Sequence, residues 1–137
     1  MISDGRREFL TDILTMAIEN GGHGWFSVEE YVWSRPDTEP YALVVEGCDG
    51  DNDDERHRIT FDVIRKGLGI IGKARIRETE RDGWVLHNVS TEQRLYMSRD
   101  MQTRIMRASR ENHAGDLDAI DALAIVECGL FGAVTYA

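Results

Sequence analysis

Gly67, Gly69 and Gly72 stand in the spacing G-x-G-x-x-G, and residues 67–74 match the phosphate loop G-x-x-x-x-G-K-[ST] at every position but the last. Glycines at such spacing let backbone amides close on a phosphate, while the lysine and hydroxyl residues serve the outer phosphates and their magnesium. Three features argue against that chemistry. Ala74 has no hydroxyl to offer a metal, the loop interior would be Leu68, Ile70 and Ile71, and no second strand–helix unit of suitable length follows. A helix fits the same residues better. Phe61, Ile64, Leu68 and Ile71 form an apolar stripe at helical spacing, and Thr60 is a natural cap. The expectation is a helix over residues 60–73 on which other elements pack. Its glycines cost about 1 kcal/mol each against alanine, but they permit close approach of a neighbour. The alternative is a strand through Ile59, Phe61 and Val63 that leads into a glycine loop.

Other residues invite chemistry less directly. Asp49, Asp51 and Asp53 have the spacing of the first calcium-loop ligands, but Asp54 replaces the turn glycine and Thr60 the bidentate glutamate. The run 47–55 therefore reads as a solvated turn. His23, His57, His87 and His113 form no i, i+4 pair and have no nearby cysteine, so no metal-ligand spacing appears. His23 lies among glycines and is followed by Trp25, Tyr31 and Trp33, a composition that suits either a ligand pocket with a titratable group or a tight turn with core aromatics. Arg104 and Arg107 belong to a basic group with Arg99 and Arg110 and would serve an anion or an acidic partner. A solvated face that pairs with nearby acids explains them as well. Asp118 and Asp121, three apart, would share a helix face, either to hold a metal or to favour a helix N-terminus. Cys128 offers a thiol but has no sequence-near base.

Hydrophobic periodicity and turn residues supply the scaffold. Residues 3–20 form an amphipathic helix capped by Ser3 or Asp4, with Phe9, Leu10, Ile13, Leu14 and Ala17 on one face, stopped at Asn20 and the glycines. Residues 25–33 form a strand, or a short helix capped by Ser27; residues 35–40 form a loop. Residues 41–46 (YALVVE) are a strand. The charged stretch 76–82 extends the central helix, and 84–89 (WVLHNV) is a strand. Residues 90–112 form the longest helix, opened by a Ser90/Gln93 capping box, with Met97, Met101, Ile105 and Ala108 as its apolar stripe. A last helix, capped by Asp118, runs through Leu123 and Cys128, turns at 129–132, and gives way to an edge strand at 133–136. The pattern is a single α+β domain over residues 1–137, with three or four helices on a small, mainly antiparallel sheet.

Composition narrows the function class. At 137 residues the chain can bury a core without staples. Its net charge of −9 disfavours binding to a nucleic-acid backbone. No stretch approaches the about 18 apolar residues of a membrane span. Two distant cysteines and a charged N-terminal segment read as a reduced, cytoplasmic protein. Two groups of residues carry a resemblance. They are Phe9 to Leu14 with Ala17, Glu19, Gly21, Gly22 and Trp25, and Asp118 to Ala122 with Ile125, Val126, Leu130, Phe131, Gly132, Val134 and Tyr136. In these the chain resembles small proteins encoded by actinobacteria, their phages and plasmids, a group with no settled activity. The resemblance implies an accessory protein of such a genome or mobile element, and it favours the helical reading of residues 60–73. The expected function is binding to another protein, without chemistry or cofactor, with self-association left open. The alternatives are a small-ligand binder or small enzyme that uses residues 21–33 with Arg104 or Arg107, and an acidic nucleic-acid mimic.

Overall fold

The computed structural model describes residues 2–20, 25–33, 38–46 and 55–134. Ser3 accepts the Arg6 amide and starts α1, Asp4–Thr15, which a π-helical turn, Met16–Asn20, continues. Three antiparallel strands follow: β1 (Phe26–Val32), β2 (Tyr41–Glu46) and β3 (Arg56–Ile59), in that spatial order. Helix α2 spans Phe61–Lys73. A second, two-stranded antiparallel sheet pairs β4 (Arg75–Thr79) with β5 (Gly83–His87). Helices α3 (Arg99–Glu111) and α4 (Ala119–Phe131) complete the described chain. The result is the expected α+β class, with two small antiparallel sheets in place of one.

Helix α2 forms as its sequence predicts. The Thr60 hydroxyl accepts the Val63 amide, and Phe61, Ile64, Leu68 and Ile71 are buried on one face. Gln102 of α3 finishes the helix by donating to the carbonyls of Ile71 and Ala74 at 2.9 and 3.1 Å, which satisfies C-terminal acceptors that a helix leaves open. Helix α2 packs most extensively on α4 and also meets α1, α3 and β3. Gly67 and Gly129 mark the closest crossing. A methyl group on Gly67 would strike the Ile125 carbonyl, and one on Gly129 the Val63 carbonyl. Helix α4 is buried almost all round, with Ala122, Ile125, Val126 and Cys128 fully enclosed, as a helix without a polar face must be. Phe9, Leu10, Ile13 and Leu14 of α1 join Ala42, Val44 and Ile59 of the larger sheet in the same core.

One open alternative is decided and four expectations need correction. Residues 26–32 are strand, not helix. The charged stretch 76–82 does not extend α2; it enters β4, and Asp82-Gly83 closes a hairpin in which Gly83 has φ +72°. The helix expected from Ser90 begins only at Arg99, capped by Ser98, whose hydroxyl accepts the Met101 amide. Upstream, Asn88 Oδ1 takes the amides of Ser90 and Thr91, and Glu92 is left-handed, so the Ser90/Gln93 pattern nucleates a turn. Helix α4 does not stop at Gly129 but runs to Phe131, where left-handed Gly132 caps it. Ala133 and Val134 are not strand; the rest of that expected strand, the acidic run 47–54 and Gly21–Gly24 lie outside the described residues. No helix among the described residues is long and apolar enough to cross a membrane.

Candidate functional site

The residues expected to form one pocket occupy three places. Trp25 is buried just before β1, with its ring edge-on to Phe26 at 4.6 Å, Phe131 at 5.6 Å and His57 at 6.3 Å. Tyr31 and Trp33 sit at the other end of β1, with rings 4.6 Å apart. A strand of that length separates the two groups by roughly 20 Å. Burial pushes the Tyr31 hydroxyl up from its usual range, partly offset by its contact with Thr15 and reinforced by Glu19. His23 lies outside the described residues. Arg104 and Arg107 line a shallow depression of about 310 Å³ on α3, away from these aromatics, together with Asp100 and Asp116.

Arg104 already has a partner. Its guanidinium grips the buried Asp121 carboxylate with bonds of 2.6 and 3.1 Å, and this hydrogen bonding raises the Arg104 pKa. Asp121 also accepts the Asp118 amide while Asp118 accepts that of Asp121, which completes the N-terminal cap of α4. These two acids therefore serve the helix end, as the second of their two expected roles had it. Cys128 is fully buried, and desolvation, then Glu127, pushes its thiol up to about 12. A thiol so protonated at neutral pH is no nucleophile.

A different surface gathers exposed recognition side chains. Two hydrogen bonds fix the segment after β5: the Leu95 amide donates to the Leu86 carbonyl at 3.0 Å, and the Val134 amide donates to the Leu95 carbonyl at 3.2 Å. The next residue, Tyr96, takes φ +56°, a conformation that costs a non-glycine residue about 1–2 kcal/mol. Its ring stands out at 62% exposure with the Arg94 guanidinium 4.7 Å above it, and Arg94 is tied to Asp82 at 2.6 Å. Trp84 of β5 is 69% exposed. These two aromatics line a depression of about 490 Å³ with Ile76, Arg94 and Arg99.

That depression continues on both sides. Through Ile76 and Arg99 it adjoins a wide, shallow one of about 830 Å³ that also holds Lys73, Arg75 and Val89. Through Tyr96 it adjoins an apolar one of about 230 Å³ lined by Met101, Ile120, Leu123 and Val134. Lys73, Arg75 and Arg99 make no ion pair among the described residues. The band thus passes from cationic, through aromatic, to aliphatic. Of its members, the sequence offers Arg99 as one of the α3 arginines and Lys73 as the lysine of the phosphate-loop match, while Met101 and Leu123 read as helix core positions. The sequence places Trp84 on the strand expected at 84–89, as the structure does in β5, but nothing in the local sequence marks Tyr96 as left-handed. Comparison with family models, with curated proteins and with solved structures finds no match to this chain.

Proposed function

We propose that this protein acts by binding another protein, and that it seats on the Lys73–Ile120 band a partner segment carrying acidic side chains followed by apolar ones. The observation that carries this reading is the pair of exposed aromatics, Trp84 and Tyr96. They stand where cations with no ion pair among the described residues meet an aliphatic depression, in a chain of net charge −9. Trp, Tyr and Arg are the side chains that dominate protein–protein binding energy, because they combine large contact area with a polar handle. A contiguous apolar patch in a polar rim marks such a surface. Charge complementarity selects acids at one end of the segment, and the cation-free Ile120 end selects aliphatic or aromatic side chains there. In the setting that the sequence resemblance suggests, this is an accessory protein of an actinobacterial genome or mobile element, acting in the cytoplasm.

A displayed library of random peptides, selected on the purified protein, tests the reading. Enriched peptides should carry two or more acids beside Leu, Phe or Trp, and Trp84→Ser should weaken them by about thirtyfold, the loss of a hot spot worth about 2 kcal/mol. Tyr96→Asn, which tolerates the left-handed backbone, should act similarly while leaving the fold intact. Peptides bound equally by both variants, tighter binding of a single-stranded oligonucleotide, or self-association blocked by Trp84→Ser would each overturn it.

A further inference from the structure

Strand pairing brings together three metal-ligating side chains that sequence spacing keeps apart. Val44 stands opposite His57 in the β2–β3 ladder, and the Glu46 amide bonds to the Glu55 carbonyl at 2.9 Å. Side chains alternate along a strand, so Glu46, Glu55 and His57 all lie on the face that Val44 occupies. His57 Nε2 is 2.8 Å from Glu46 Oε1 and 4.0 Å from Glu55 Oε2, and one donor atom from each of the three residues falls within 4.8 Å of the others. The imidazole is held by ring edges: Phe131 at 5.2 Å and Trp25 at 6.3 Å. The site grades outward from His57 at 15% side-chain exposure, through Glu46 at 25%, to Glu55 at 79%.

The arrangement carries an electrostatic conflict. Carboxylates directly opposite each other across a ladder repel, and the chain as a whole is acidic. Arg56, the nearest cation in sequence, belongs to the other face and is engaged by Glu29 at 2.8 Å. A bound cation resolves the conflict. Ligands about 2.0–2.1 Å from a tetrahedral zinc ion stand roughly 3.3 Å apart, and the distances observed here bracket that value. One imidazole with two carboxylates suits zinc and similar first-row ions better than calcium, which takes six to eight oxygens. We infer that Glu46, Glu55 and His57 form a binding site for a divalent transition-metal ion, with three protein ligands and one coordination position left to water.

Zinc chloride titrated into chelator-treated protein, followed by calorimetry and thermal unfolding, tests the site. One ion per chain should bind and raise the unfolding temperature, because an ion that favours the folded state stabilises it. Glu46→Gln and His57→Asn should each weaken binding more than about tenfold. Glu55→Gln lies at an exposed position, so it should fold like the parent in chelator and still bind zinc more weakly; it decides the question if the other two variants unfold. The inference is overturned if zinc fails to saturate below about 1 mM, if Glu55→Gln binds it unchanged, or if calcium binds more tightly than zinc.

Discussion

Asp121, at 1% exposure, is held from two sides: by Arg104 on α3 and by the amide of Asp118 at the start of its own helix. Burying a carboxylate there is costly unless donors surround it. Removing one partner of a buried pair commonly costs about 3–5 kcal/mol, but Arg104 is 41% exposed, so water can replace part of what it gives. Arg104→Ala should therefore lose about 2 kcal/mol in urea unfolding. Arg107→Ala, which breaks no ion pair among the described residues, should stay within about 0.5 kcal/mol. Equal losses from the two would mean that the pair contributes nothing specific. The contrast matters for function as well: of the two arginines expected to hold an anion, Arg104 is committed to the fold.

Among the secondary-structure elements, the crossing of α2 on α4 is the tightest join, and it turns on glycine. Gly67 faces the Ile125 carbonyl with no room for a methyl group, whereas a methyl group on Gly69, in the same helix, would meet nothing within 4 Å. Gly69→Ala should stabilise by about 0.5–1 kcal/mol, since alanine is the better helix former. Gly67→Ala gains the same propensity but drives the helices apart, for a net loss of about 2 kcal/mol or more. Thermal unfolding of the two variants should shift in opposite directions; a gain in both would show that the helices do not cross there. This helix was legible because its cap, stripe and glycines agree. Strand β4 was not: Arg75, Arg77 and Glu78 suit an exposed helix, and pairing with β5 overrides them. The false start at Ser90 has a similar origin, since the Asn88 side chain takes the Ser90 amide that a Gln93 capping box would use, and the Thr91 hydroxyl takes the Gln93 amide that a Ser90 cap would use. The candidate sites were the least legible, because Glu46, Glu55 and His57 converge through strand register and Trp84 and Tyr96 through a left-handed backbone, neither of which is written in local spacing.

Charge over the whole molecule is divided unevenly. There are 25 acids against 16 lysines and arginines, yet three cations at one end of the Trp84–Tyr96 band have no ion-pair partner among the described residues. The tryptophans report on this division. Trp25 is 5% exposed and hidden from any quencher, while Trp33 is 56% and Trp84 69% exposed. The Trp33 ring lies against that of Tyr31, which feels the negative charge of Glu19. Trp84 shares its depression with Arg94 and Arg99. Local charge concentrates oppositely charged small ions over a Debye length, about 10 Å at about 0.1 M salt. In Trp33→Phe, where Trp84 supplies the accessible fluorescence, iodide should quench relatively better than caesium. In Trp84→Phe, where Trp33 supplies it, the preference should reverse, and the difference should shrink as neutral salt is raised. The same ratio in both variants would mean that the band carries no positive potential, and an acidic partner segment would then have no electrostatic reason to choose it.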